Sequence, residues 1–438
     1  MKRNRLLLGR EGRPQLLRMV IMIAALLGLQ SFFPPASSAL TLNGESNTYL
    51  SFRETADKSK IVPLYEYLDL SLDNIGDNRV SFHSSGWGKA DLGDESYGKR
   101  YDADLLYAYL SFKNDKNNTT INLGRVLVFE GVAAEKVDGF YARTDIKYGF
   151  GASAYVGRPV ETESNGVSGD LIYGGRLSYE IPSIVVLGAS YLKENSGSSD
   201  FREEEGADIW LNPVRQVVIT GRSSYNSMTN GWMEHTYFLS LGPFSNLRLN
   251  SEVSWISYKD YFSSATTDVF KLMTGILDPA EKVLILGQEA AYSINENLTA
   301  SADYKHYDYD LAGNANYYGG KLSYAVLGKG GAGVSFHRMS GATDKLRYNE
   351  YRVYGFKKFG RADLTLDFLD VDYDSEIDGM KNTYAASLAI GYNFSNKVKT
   401  VADVDYSRNP NFNRDVRTFL SLVWQFDSAF GGETKGVR

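Results

Sequence analysis

From Leu40 to Phe426 the chain alternates. Stretches of roughly ten residues switch between apolar and polar at each step, and a turn breaks each stretch. In Leu247–Trp255, the side chains of Leu247, Leu249, Val253 and Trp255 fall on one face, and those of Arg248, Asn250, Glu252 and Ser254 on the other. Leu64–Leu72 behaves in the same way, with Leu68, Leu70 and Leu72 opposed to Tyr67, Asp69 and Ser71. So does Ala362–Phe368, where Leu364, Leu366 and Phe368 oppose Asp363, Thr365 and Asp367. A repeat of two residues is the mark of a strand, because successive side chains point to opposite faces.

The connections between these stretches alternate in length. Short ones include Asp73–Asn78, Lys113–Asn118, Pro182-Ser183, Asn212-Pro213, Gly242–Asn246, Asn295–Asn297 and Ser395–Lys397. They are rich in Gly, Pro, Asn and Asp, whose backbone preferences favour turns. Longer polar stretches lie near 88–102, 158–169, 194–205, 259–281, 340–345, 373–381 and 409–415. Thr267–Leu277 reads either as a short helix inside a loop or as an extra strand. Strands of this length suit a tilted crossing of a bilayer, with lipid on one side of the wall and water on the other. The expectation is therefore all-β: a transmembrane antiparallel up-and-down β-barrel of about 22 strands (20–24), with no plug domain. At a strand spacing of ~4.8 Å and a tilt of roughly 40°, that barrel has a backbone diameter of about 44 Å and a free bore of roughly 25–30 Å.

The N-terminus differs from the rest. Lys2, Arg3, Arg5, Arg10, Arg13 and Arg18 precede an apolar run from Met19 to Leu29, and Ser37-Ser38-Ala39 supplies small residues. Residues 1–39 are predicted to be a cleaved secretion signal. The barrel is expected over 40–427, and 428–438 is expected to be a short polar tail. An even strand count puts both termini in the periplasm, in a protein of the cell outer membrane.

Composition narrows the chemistry. Of 47 basic and 53 acidic residues, six basic and one acidic belong to the signal, so the mature chain carries a net charge of −11. That balance argues against a nucleic-acid partner. Cysteine is absent, which removes disulfides, thiolate metal sites and covalent haem attachment. The four histidines, His83, His235, His306 and His337, have no ligand spacing. His306 lies near Asp303, Asp308 and Asp310, but the segment also reads as a Tyr/Asp-rich strand end. Neither a G-x-S-x-G elbow nor a Walker loop occurs. No catalytic, metal-binding or cofactor-binding residues are expected, and no enzyme. The 31 tyrosines suit boundaries between membrane and water.

Three resemblances sharpen this picture. Thr418–Phe426 places Leu420, Leu422, Trp424 and Phe426 on one face. It resembles the aromatic C-terminal strand of outer-membrane barrels, which the barrel assembly machinery recognises, although twelve residues follow that Phe here. Gly124-Arg125 and Val137-Asp138-Gly139 resemble the "GR…DG" hairpin of general and phosphate-selective-type porins, where the connecting loop can fold inward toward a constriction. In size, tyrosine content and lack of a plug, the barrel also resembles the barrel subunits of porin–cytochrome electron conduits. That resemblance implies a multihaem cytochrome as partner.

A charge facing lipid at the midplane costs about 2–4 kcal/mol, so charges in mid-strand are expected to face water. Arg125, Asp138, Arg176, Arg222, Arg248, Glu252, Asp303, Asp367 and Asp403 are the predicted pore-lining residues. The expected function is a channel for small hydrophilic solutes or ions. The alternative is a sheath holding a multihaem cytochrome.

Overall fold

The computed structural model describes residues 40–54, 58–76, 78–94, 99–160, 169–197, 199–261, 280–410 and 412–430. The predicted signal (1–39), the end of the predicted tail (431–438) and the ambiguous stretch Thr267–Leu277 lie outside the described residues.

The chain forms two compact units. The first is Met1–Asp115, Asn393–Ala402 and Arg417–Arg438; the second is Lys116–Tyr392 and Asp403–Val416. The first unit contains β1 (Leu40–Glu54), β2 (Lys60–Ile61), β3 (Pro63–Asp73), β4 (Val80–Asp91) and β5 (Tyr101–Lys113). It also holds most of β23 (Phe412–Phe430). β1 pairs with β3 on one side and with β23 on the other, the latter from Leu40↔Phe430 to Arg53↔Arg417. The last strand thus runs to Phe430, three residues past Asp427. β2 pairs with the end of β1 just before β3 begins, so the two short pieces make one interrupted strand.

The second unit starts with β6 (Thr119–Glu130), β7 (Ala133–Asp145), β8 (Phe150–Pro159), β9 (Leu171–Ile181), β10 (Val185–Ser196) and β11 (Ser199–Val214). β12 (Val217–Asn226), β13 (Gly231–Phe244), β14 (Leu247–Ser257) and a one-turn helix, α1 (Tyr258–Tyr261), follow. Then come β15 (Lys282–Ser293), β16 (Leu298–Tyr309), β17 (Gly313–Val326), β18 (Gly330–Gly341), β19 (Arg347–Phe359), β20 (Ala362–Ile377) and β21 (Met380–Asn393). β22 (Val398–Asn409) precedes β23. The strands belong to one antiparallel sheet whose first and last members pair. Counting β2 with β3, the fold is a closed up-and-down barrel of 22 strands.

Register sorts the side chains into two faces. Leu322, Val334, Val353 and Phe368 lie opposite one another across β17, β18, β19 and β20, and all four are exposed. This apolar face is the outer one, where lipid takes the place of a protein core. The other face carries Asp303, Gly319, His337 and Glu350 in the same kind of row across β16 to β19. In the first unit the inner face is aromatic: the Tyr49 ring stacks on Phe419 at 5.2 Å between centroids, and Tyr65 stacks on Tyr67 at 6.2 Å.

Two expectations about strand ends change. Asn212-Pro213 is not the turn; β11 continues to Val214, with an irregular register between Leu211 and Val214. A strand tolerates proline at such an irregularity because no ladder hydrogen bond is needed from it there. Stretches 194–205 and 373–381 are mostly strand, in hairpins that turn at Gly197 and at Asp378-Gly379.

Candidate functional site

The inner face of the second unit is covered where one hairpin leaves the wall. β7 pairs with β8 only from Asp145↔Gly151 up to Val137↔Pro159, whereas β6 and β7 stay paired to Glu130↔Ala133. Beyond Val137 the hairpin goes its own way. Three glycines sit where it departs. Gly124 has φ +132°, a conformation that L side chains rarely adopt. It lies opposite Gly139, which in turn lies opposite Gly157. A Cβ on Gly139 would stand 2.2 Å from the Val156 carbonyl oxygen, and one on Gly157 would stand 2.5 Å from that of Asp138.

The hairpin tip reaches β10 and β11. The Val132 amide donates to Ser190 Oγ at 3.0 Å. The Val132 side chain lies where a Cβ on Gly206 would be, 2.4 Å away. One side of the hairpin is pressed on the wall: Val126, Val128, Ala133 and Val137 are fully buried, as are Tyr155, Ile172 and Leu192 on β8, β9 and β10. Burying each valine contributes about 1.5–3 kcal/mol relative to leaving it in water. The other side is open, with Leu127 42% and Phe129 73% exposed.

A buried guanidinium fastens the hairpin. Arg202 on β11 donates from Nη1 to Glu135 Oε1 on the hairpin at 2.6 Å. Its Nε and Nη2 donate to Glu204 at 2.5 and 2.8 Å. Such paired, bidentate geometry is what makes an ion pair tolerable away from water. On the hairpin's own base, Tyr141 donates to Glu130 Oε1 at 2.6 Å.

Between the hairpin tip and β11, β12 and β13 lies a cavity of about 260 Å³. Glu135, Arg202, Glu204, Asp208, Arg222 and Glu234 supply its charges. Arg222 Nε meets Glu234 Oε1 at 2.7 Å. Tyr261 of α1 also lines it, and burial raises its hydroxyl pKa above the ordinary tyrosine value, so the ring stays neutral.

The predicted residues divide as follows. Arg125 and Asp138 pair with each other, Arg125 Nε and Nη2 donating to the two carboxylate oxygens at 2.7 and 2.9 Å. They sit beside the glycine bend, on the hairpin side that carries exposed Leu127 and Phe129. Arg176, Arg222, Arg248, Glu252, Asp303, Asp367 and Asp403 lie on the polar face of their strands. Arg176 pairs with Asp208 across Gly188 (Nε to Oδ1, 3.0 Å). Glu252 pairs with Lys305 across Gly287 at 2.6 Å. Asp303 pairs with His337 across Gly319 at 2.9 Å. In each case the glycine leaves room for two long side chains to meet over the strand between them; a Cβ on Gly188 would stand 2.3 Å from the Arg176 guanidinium. Asp367 accepts from Arg352 Nε at 3.0 Å, and Ser387 Oγ donates to Asp403 at 3.3 Å. Asn250 and Glu252 share a face with Arg248 on β14.

His306 and Asp303 do not meet: His306 bonds Asn316 at 2.9 Å on the opposite face. Among the described residues there is no group of three metal-ligating side chains.

Sequence reasoning missed Arg202, Glu204, Glu135, Ser224, Glu234 and Tyr261. One signal was present. Val126, Leu127, Val128 and Phe129 are apolar on both faces, which a wall with water on one side does not need. The run marks a segment covered on its inner side.

No family model and no curated protein sequence matches the chain. Among solved structures, it is similar to the ferric enterobactin receptor PfeA of Pseudomonas aeruginosa. The TM-score is 0.57 at 11% identity, covering 89% of this chain and 82% of that one. The siderophore receptor PirA of Pseudomonas aeruginosa gives 0.53 at 13% identity, over 90% and 81% of the two chains. OccAB4 of Acinetobacter baumannii gives 0.45 at 8% identity, over 90% and 100%. At these identities the likeness to the two receptors is one of fold, that of the large closed β-barrel.

Proposed function

We propose that the protein is a porin-like channel of the outer membrane, through which small hydrophilic solutes or ions pass. The observation that carries this reading is the hairpin over Val126–Val137, which folds onto the inner face of its own wall and is fastened there by Arg202. A sheath around a multihaem cytochrome needs its bore free of its own chain; a channel needs a narrowing with fixed charges, which set ion selectivity. This reading takes the hairpin, rather than a separate plug domain, as what narrows the bore. It also takes the barrel as inserted from the periplasm by the assembly machinery, surrounded by lipid, with both termini periplasmic.

The experiment is single-channel recording in planar bilayers with the protein alone. The expected result is stepwise ion conductance, which becomes larger and noisier in Arg202→Ala. A barrel that leaves the bilayer silent and co-purifies with a haem-staining protein overturns the channel reading in favour of the sheath.

A further inference from the structure

The inner wall of the first unit carries an unbroken run of rings. Phe419 on β23 stacks on Tyr49 of β1 at 5.2 Å between centroids, and Tyr49 meets Tyr67 of β3 edge-on at 5.5 Å. Tyr67 lies 6.2 Å from Tyr65 on the same strand and 6.4 Å from Trp87 on β4. Register puts these rings on one face, opposite the outer row of Leu420, Leu50 and Leu64. All five are partly exposed. A contiguous apolar strip on a wall that meets water is the mark of a contact surface.

Charge says what kind of ligand that surface takes. On the same face, Glu45 of β1 and Asp69 of β3 lie directly opposite each other. Like charges in that position repel. On the inner wall of the second unit, Asp208, Glu252 and Asp367 each meet a cation, those of Arg176, Lys305 and Arg352. Here the partners are neutral. Glu45 accepts from Gln425 Nε2 at 2.8 Å and from Asn47 Nδ2 at 2.7 Å, and Asp69 accepts from the Tyr107 hydroxyl at 3.1 Å. Among the described residues, neither carboxylate is in an ion pair. Asp69 is two residues from Tyr67 on one strand face, roughly 7 Å along the wall. One small solute spans that distance.

We infer that the strip binds a small organic cation, an ammonium ion inside an apolar shell. Its charge sits between Asp69 and Glu45, and its alkyl groups lie on the Tyr67 ring, with the neighbouring rings continuing the same surface. The negative face of an aromatic ring attracts such a cation. A sodium ion, held in its own water, makes no use of the rings. The inference names a solute class for the proposed channel and rests on that reading for the route by which the cation arrives.

The test uses tetramethylammonium chloride, with tert-butanol as a neutral body of similar size and added sodium chloride as a plain cation. In planar bilayers, tetramethylammonium is expected to lower the wild-type sodium current and to saturate, and neither control is. Asp69→Asn keeps the shape of the side chain and is expected to raise the half-saturating concentration about fivefold, the effect of a unit charge ~4 Å away in water. Glu45→Gln is a second charge variant with the same expectation. Tyr67→Leu is expected to raise it about two- to fivefold, the range for a cation over an exposed ring. All variants are first checked for the heat-modifiable mobility of a folded barrel. A current that falls without saturating, saturation by tert-butanol, or an unchanged half-saturating concentration in the folded charge variants or in Tyr67→Leu overturns the site and leaves the channel standing. If the wild type does not conduct, the channel reading fails. Calorimetry with tetramethylammonium in detergent then decides the site: binding weakened in Asp69→Asn supports it, and equal binding, or none by the wild type, overturns it.

Discussion

At the scale of single residues, the inner wall repeats one device: two polar side chains meet over a glycine on the strand between them. Arg176 and Asp208 do so over Gly188, Glu252 and Lys305 over Gly287, and Asp303 and His337 over Gly319. The device makes a definite prediction. In Gly188→Ala the new methyl would stand 2.3 Å from the Arg176 guanidinium and 2.4 Å from Asp208, so the pair must part. The side-chain ends can swing aside, so the expected cost is that of the lost ion pair, up to about 1 kcal/mol, read as a slightly lowered urea midpoint in lipid vesicles. Glu252→Lys sets two like charges beside each other with Lys305. It is expected to move the reversal potential in a salt gradient toward anion preference. An unchanged value would place Glu252 away from the conducting path. The faces of these residues were legible because period-two alternation ties parity to solvent: Arg176 is followed by Leu177 and Glu252 by Val253, apolar neighbours that want the other side. The pairings were not legible. They join residues on strands that are not neighbours, and nothing local in the chain encodes that distance.

At the scale of elements, the hairpin of β6 and β7 is the departure from a plain wall. Its buried valines, its glycine bend and the Arg202 fastening each act on the same motion, the lifting of the tip from β10 and β11. The chain has no cysteine, so an introduced pair reports on this contact alone. Val132→Cys with Gly206→Cys is expected to form a disulfide on oxidation, since the Val132 side chain lies where a Cβ on Gly206 would stand. Current fluctuations should fall on oxidation and return on reduction. Failure to cross-link in the folded barrel would contradict the docked position. The inward fold had a sequence trace in the doubly apolar Val126–Phe129 and in the glycines around Arg125 and Asp138. The tips of β10–β11 and β20–β21 had none. Segments 194–205 and 373–381 are polar on both faces, as projecting strands are when neither side meets lipid, and such segments read as loops. Asn212-Pro213 misled for a different reason: its turn chemistry is satisfied by an irregularity within β11.

At the scale of the whole molecule, closure rests on β1 lying between β3 and β23. Side chains reinforce the seam: Gln425 donates to Glu45 at 2.8 Å, and Lys397 pairs with Asp427 beside it. Deleting 412–430 leaves β1 with an unpaired edge, and a bilayer offers no water to satisfy it. That truncated chain is expected to lose its heat-modifiable mobility and to fail to insert. The strand count and closed class were legible because the pattern recurs along the chain and barrels obey one topology.

The docked hairpin also imposes a timetable. Its partners, Tyr155, Ile172, Leu192 and Arg202, all come later in the polypeptide than the flap itself. Until β8, β9, β10 and β11 stand beside it, the flap has nothing to lie against. The flap must wait, its valines wetted, until at least β11 has joined the growing ring. Docking is thus a step that follows the building of this stretch of wall, a latch dropping into a doorway already there, and a ring without it is a wider one.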